Sequence, residues 1–421
     1  MTRREWCCAA FGVSVAASQA ADGPDHDLAF RNGRFQAALE LAEQALQRNP
    51  EDILAALTKV RVYDANYHTD LAEAEYAACL ARGHDQSLVL SILPDLSFAE
   101  KHPDLLGRYL DVSMGHSVAH DRVTGLRRCL DRSNGERLCS ISASPTAATC
   151  PIRRLASNPS HPGSMGLMVR VNGHKPATLA LNSGAFGLWL TPDKARSLDV
   201  SDLGEGSISE PGMYGRQPGA FGFAQQIEVG GMSVRNVPVF LSDSGPFTLR
   251  DGMIGTATFR DVLVRVSGRQ STIAFESLPP LPPHRPGERS VPPELGNAVK
   301  CIRSRHVLLV PASIKNKSAF MLVQLQAEVN IIHTQSPMGA VAGVADPARF
   351  WSTGYSCPGE EYSVESVDLT IGSAHGALMM RNCNLAETWT KVGFPVAGVL
   401  GLAFLQDRSF ALDQVHGLIA F

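Results

Sequence analysis

The sequence has no Cys-x-x-Cys pair, no His-Glu-x-x-His and no acidic calcium loop. It therefore carries no motif for a metal site, and nothing in it asks for a cofactor. No run approaches the roughly 18 apolar residues that a membrane-crossing helix needs, so no membrane span is expected. Charge of either sign is not in excess: a net charge of −3 gives no electrostatic footprint for nucleic acid or for an anionic membrane surface. What remains is an ordinary globular composition, 44% hydrophobic and 19% charged over 421 residues, enough chain for two or three domains with cores of their own.

Cysteine is sparse and its placement is informative. Arg3 and Arg4 form a basic start, Trp6 to Ala17 an apolar stretch, and Ser18-Gln19-Ala20 a small-residue site before Ala21. Residues 1–20 read as a signal peptide, and the mature chain is expected to be exported, periplasmic or secreted. Two arginines alone do not specify the twin-arginine route. Removal of the peptide takes Cys7 and Cys8 with it and leaves Cys79, Cys129, Cys139, Cys150, Cys301, Cys357 and Cys383. An odd number leaves at least one thiol unpaired. In an oxidising compartment disulfides are plausible, although spacing does not give their connectivity.

Residues 21–115 are helical in pattern. After Asn32-Gly33, a helix carries Leu39, Ala42, Ala45 and Leu46 on one face and closes at Asn49-Pro50. Ala72 to Leu80 repeats the element about 34 residues on, with Cys79 in the place of Ala45 as a small buried hydrophobe. Small residues at Ala38, Ala42 and Ala45 followed by Pro50 resemble the second helix of a tetratricopeptide repeat. Fewer than three repeats can be counted, which describes a cap or a prop against the next domain rather than a long solenoid. A protein partner on this helical region is a possible use of it. Residues 116–162 show no sustained period and hold Cys129, Cys139 and Cys150, which reads as a connecting segment stapled by a disulfide.

From residue 163 the period changes to that of strands. Residues 163–277 contain Leu167 to Val171, an Asn172-Gly173-His174 turn, Leu179 to Asn182, a Gly-rich stretch from Gly204 to Gly222, Gln226 to Gly231, Val237 to Leu241 and Ile273-Ala274-Phe275. Residues 278–295 form a Pro-rich linker that favours an extended spacer. In residues 296–421 the pattern returns. Gly252-x-x-Gly255 matches Gly398-x-x-Gly401, Asp261 matches Asp407, and Ile273-Ala274-Phe275 matches Ile419-Ala420-Phe421, all at one constant offset. The chain holds an internal β repeat of about 110 to 125 residues.

In the first copy, Leu179-Ala180-Leu181 runs into Asn182-Ser183-Gly184-Ala185, followed by Phe186-Gly187-Leu188-Trp189-Leu190. This stretch resembles the active-site loop of the retropepsin-like and pepsin-like aspartic peptidases, whose motif is Asp-Thr/Ser-Gly-Ala after two apolar residues. The resemblance covers roughly 110 residues of each half and nothing before about residue 160. It implies an α+β multidomain protein: tetratricopeptide-like helical hairpins followed by two tandem β-rich lobes. Gln324-Leu325-Gln326-Ala327 is the second loop by position, Gly204 to Gly222 the first flap, and Trp351 to Ser363 its loose counterpart. Ser183, Gly184, Ala185 and Ala327 in the loops, with Tyr214 and Trp351 in the flap stretches, are the implied substrate-binding residues. The implied ligand is an extended peptide or protein segment in the inter-lobe cleft.

The family's chemistry needs two carboxylates sharing a proton. This chain has amides at both places, Asn182 and Gln324, and an amide neither takes up nor releases a proton at physiological pH. No catalytic residue is assigned, and the expectation is a degenerate, peptide-binding relative. The rival is an active hydrolase with a non-standard site drawing on Glu328 with Asp243 or Asp368. Ser242-Asp243-Ser244-Gly245-Pro246 reads as a turn, being made of the commonest turn formers. His174 and His306 are expected to face solvent. Gln326, where the loop motif has Gly, suggests a rebuilt second turn.

Overall fold

The computed structural model describes residues 24–421 apart from 84–85, 114–116, 143–147, 156–163, 211–215, 244–250, 285–286, 315–316, 328–329 and 334–363. Among the described residues seven α-helices come first: α1 (Asp25–Arg31), α2 (Phe35–Arg48), α3 (Ile53–Ala65), α4 (Thr69–Ala81), α5 (Gln86–Ser91), α6 (Pro103–Val112) and α7 (Val118–Arg132). Ala38 and Ala42 on α2, and Ala72 and Cys79 on α4, are fully buried, so small side chains set the close packing of the hairpins, as the pattern predicts. No described helix is long and apolar enough to cross a membrane.

Helix α7 is a correction. It lies inside the segment read as a connection, and its Arg122, Arg127, Arg128 and Arg132 hide the helical period behind polar residues. Its local signals are a cap and a charge. The Ser117 side chain accepts from His120 N at 3.1 Å, and Asp121 sits in the first turn, where negative charge suits the helix dipole. The expected staple is absent as well: Cys129, Cys139 and Cys150 are free, buried thiols.

The two β lobes share one topology. In the first, Ser164–Val171 pairs with Ala177–Asn182, which runs parallel to Gly252–Gly255; that strand is in turn antiparallel to Leu188–Leu190. In the second, Val307–Ile314 pairs with Lys317–Val323, which runs parallel to Gly398–Leu400, itself antiparallel to Asn330–His333. Leu181 opposite Ile254 corresponds to Val323 opposite Leu400. The next residues, Asn182 and Gln324, therefore stand at the same step of the two lobes. The repeated glycines have one cause in both copies. A Cβ on Gly252 would lie 2.3 Å from Trp189 O, and one on Gly398 would lie 2.2 Å from the matching Ile331 O. The apposed strands approach too closely for any side chain there.

A six-stranded sheet joins the lobes in the order Val299–Lys300, Leu418–Ala420, Ser409–Asp413, Val262–Ser267, Thr272–Ser277, Ala148–Pro151. Its central pairing is self-complementary. Val264 faces Leu412, Val266 faces Phe410, and Arg265 faces Ala411; by the repeat offset Val264 is the counterpart of Phe410 and Val266 of Leu412. Each partner is thus the other's equivalent, as in a two-fold interface between identical subunits. A local pseudo-dyad runs between Arg265 and Ala411.

The helices lie across both lobes. Ala29, Phe35, Ala38 and Val62 share a core with Val307, Leu322, Phe394 and Val399 of the second lobe. Tyr76, Leu106, Val123 and Cys129 share one with Leu138 and with Phe223 of the first lobe. One buried contact fixes the position of α3. Arg303 Nη2 donates to Asp64 Oδ1 at 2.7 Å and its Nε to Asp64 O at 2.8 Å, while Ser97 Oγ donates to the same carboxylate at 2.5 Å. This charge pair is buried and well hydrogen-bonded, so removing one member leaves an uncompensated charge.

Candidate functional site: two loops at the lobe seam

Each loop begins where a buried strand ends, and the pseudo-dyad brings the two together. Ser183 Oγ donates to Val323 O at 2.6 Å and accepts the Leu325 N–H at 3.0 Å. One hydroxyl thus bridges the backbone on both sides of Gln324. The reciprocal bridge is lacking because Leu325, the counterpart of Ser183, has no hydroxyl.

Asn182, Ser183 and Gln324 are 2%, 2% and 1% exposed, and Ala185 and Ala327 are buried beside them. Asn182 Oδ1 accepts the Gly184 N–H at 2.8 Å, an Asx turn that shapes the first loop, and its Nδ2 lies 3.8 Å from Met253 Sδ. In the second loop Gln324 N donates to Leu400 O at 2.9 Å and Ala327 N to Gln324 O at 3.2 Å. The backbone demand expected of the loop glycine does not arise. Neither Gly184 nor Gln326 has a positive φ, so Gln326 is accommodated without backbone strain.

The sequence-predicted residues sort as follows. Asn182, Ser183, Gly184, Ala185, Gln324 and Ala327 meet at the seam, while Tyr214, Trp351 and Glu328 lie outside the described residues. Asp243 and Asp368 are exposed and stand apart from the buried loops. His174 faces solvent in its turn and pairs with Asp199 at 2.7 Å. His306 does not face solvent freely. It stacks on Phe186 with ring centroids 4.9 Å apart, and its Nε2 lies 3.2 Å from Arg122 Nη2. Burial, and then the arginines Arg122, Arg260, Arg305 and Arg303, hold its pKa well below the usual histidine value. Among the described residues no group of three or more His, Cys, Asp or Glu is placed to hold a metal ion.

The first flap is a hairpin of Ser201–Ile208 and Gln217–Val229, and α7 is fastened along it. Ser207 Oγ donates to Asp121 Oδ2 at 2.5 Å, and Arg216 Nη2 donates to the same oxygen at 2.6 Å. Phe221 sits between Gly125 of α7 and Gly206 of the hairpin; a Cβ on either would come within 2.4 Å and 2.2 Å of its ring. Gly125 therefore serves close packing in a helix interior, where glycine otherwise costs about 1 kcal/mol. From the second lobe Arg305 Nη1 donates to Ser209 O at 3.3 Å. Asp121, Gly125 and Arg305 are site residues that sequence reasoning missed. Their partners lie about 80 to 100 positions away in the chain, beyond any local pattern.

Burial raises the free thiols, which excludes them as ready nucleophiles: Cys79 and Cys150 to about 11, Cys129 and Cys301 to about 12.

Residues 167–258 match the family model described as aspartyl protease, and residues 29–93 match that of the tetratricopeptide repeat. A comparison with curated proteins gives no match. Among solved structures, the aspartic proteinase from Irpex lacteus is 12% identical, covering 65% of this chain and 96% of that one, with a TM-score of 0.37. Conglutin gamma, a basic 7S globulin from lupine seeds, is 10% identical over 66% and 95%, with a TM-score of 0.39. A retropepsin-like aspartic protease from Rickettsia conorii is 14% identical over 31% and 90%, with a TM-score of 0.22. Residues 167–258 are thus similar to an aspartyl protease domain, and residues 29–93 to tetratricopeptide repeats.

Proposed function

We propose that the chain is an exported, catalytically degenerate aspartic-peptidase-like protein that holds an extended peptide between its lobes. The observation that carries the reading is the Ser183 bridge to Val323 and Leu325. It places Asn182 and Gln324 at the seam where the reaction of this fold requires two acids. Peptide hydrolysis there needs one carboxylate to take a proton from water and another to give one to the peptide carbonyl. Two amides do neither. Binding of an extended chain needs only backbone and pocket contacts from the hairpin and strands, and these do not depend on the acids. The rival, an active hydrolase, must draw on Glu328, Asp243 or Asp368, and the latter two point to solvent rather than to the seam. Export rests on the order of basic, apolar and small-residue segments in residues 1–20.

Hydrogen–deuterium exchange with a mixed peptide library tests the binding mode. Protection of the 182–185 and 324–327 loops and of the 201–229 hairpin is expected. Protection confined to the helices of residues 25–132 would instead make the tetratricopeptide region the binding surface, the second reading that its repeats favour.

A further inference from the structure

A cavity of about 60 Å³ lies between α7 and the flap hairpin, beside the end of the first loop, whose next residue Phe186 lines it. Phe186, Trp189, Phe221 and Phe240 form aromatic walls, and Leu126 closes it from the helix side. Its remaining lining includes Arg122, Glu210 and His306.

Glu210 is 7% exposed, and its buried Oε2 accepts no hydrogen bond. The cation paired with it, Arg305 Nη1, stands 3.8 Å from that oxygen, beyond hydrogen-bonding distance. A buried carboxylate oxygen left unmatched is costly, and sites of this kind mark bound ligands or water. The histidine supplies the opposite function. A guanidinium only donates, so the 3.2 Å contact from Arg122 makes His306 Nε2 an acceptor and puts the ring proton on Nδ1. The polar lining of the cavity thus includes a residue with an unmatched acceptor, Glu210 Oε2, and one whose ring proton sits on Nδ1, His306. Arg122 and Arg305 disfavour a further cation in this space, and Glu210 disfavours an anion. A neutral group with one donor and one acceptor fits. The volume is several times what one water needs, about 10 to 15 Å³, and well below the 150 Å³ or so of a benzene cavity.

We propose that this cavity binds a primary carboxamide on a short alkyl stem. Its N–H donates to Glu210 Oε2, its C=O accepts from His306 Nδ1–H, and the stem packs on Phe186 and Phe221. An Asn or Gln side chain of a peptide and a small free amide share this chemistry. The site stands independently of whether a peptide lies between the lobes.

Propionamide is the probe, read by the indole N–H resonance of Trp189 in full-length protein labelled at tryptophan. The expected result is a saturable shift, with propionate and propylamine at least about tenfold weaker. The response should be lost in Glu210→Ala, and also in Leu126→Phe, which fills the cavity while leaving Glu210 in place. Equal responses to the three probes overturn the proposal, as does propionamide binding unchanged in both variants. A crystal soaked in propionamide that shows only water beside Glu210 overturns it too. A blocked Ala-Ala-Asn-Ala-Ala peptide that displaces propionamide assigns a peptide-borne amide; propionamide binding without such displacement assigns a free one.

Discussion

Ser183 and Leu325 stand at equivalent steps of the two seam loops, and their contact runs one way: the Ser183 hydroxyl accepts the Leu325 N–H at 3.0 Å while donating to Val323 O at 2.6 Å. The half of the bridge that survives still locks the lobes together.

Ser183→Ala should therefore destabilise the protein by about 2–4 kcal/mol, because it strands a buried N–H and a buried C=O at once. Ser183→Thr keeps the hydroxyl and should cost less than about 1 kcal/mol. Urea unfolding monitored by fluorescence reads both. An Ala variant as stable as wild type would remove the bridge from the account.

Asp121 fastens the flap hairpin to α7 through Ser207 and Arg216. Asp121→Ala should speed amide exchange across 201–208 and 217–223 by about tenfold or more, with the 262–277 strands unchanged. Uniform acceleration throughout the chain would mean that Asp121 supports the whole fold rather than the hairpin.

His306 gives the protein a pH dependence of known sign. Its folded pKa lies well below the ordinary 6.5, so the unfolded chain takes up the proton first. The stability due to the neutral ring is full above pH 6.5 and is lost as pH falls below it. Wild type should lose about 1.4 kcal/mol per pH unit more than His306→Gln once well below pH 6.5. Parallel urea midpoints at pH 7 and pH 5 measure this, and equal losses in the two proteins would contradict it.

Cys79, Cys129, Cys139, Cys150 and Cys301 are free and buried. They should resist a thiol reagent at pH 8 in native protein and react only on unfolding. Rapid native labelling of any of them, identified by peptide mapping, would contradict the packing described.

The repeat was legible in the sequence because its cause is local and recurs. Gly252 and Gly398 each face a backbone oxygen too near for a Cβ, and both copies preserve the residue in register. The amide pair was legible for the same reason, since strand, turn and strand follow one another around Asn182. Helix α7 was not. Its arginines mask the apolar face, and Gly125, which reads as a breaker, is explained by Phe221 far along the chain. The Ser183 bridge was equally hidden, because its partners lie in the other lobe and Leu325 carries no sign of it. His306 was placed wrongly for want of a local cue: its burial comes from Phe186 and Arg122, both remote in sequence.

The central claim, that paired amides at the seam leave the fold without its hydrolytic chemistry, is tested most directly by one assay. Cleavage of a mixed peptide library is measured by mass spectrometry from acid to neutral pH for wild type and Asn182→Ala, with the double variant Asn182→Asp, Gln324→Asp alongside. The account predicts no cleavage by wild type or Asn182→Ala, and acid-range activity, if any is restored, only in the double variant, where two carboxylates can share a proton. Robust wild-type cleavage abolished by Asn182→Ala would contradict it.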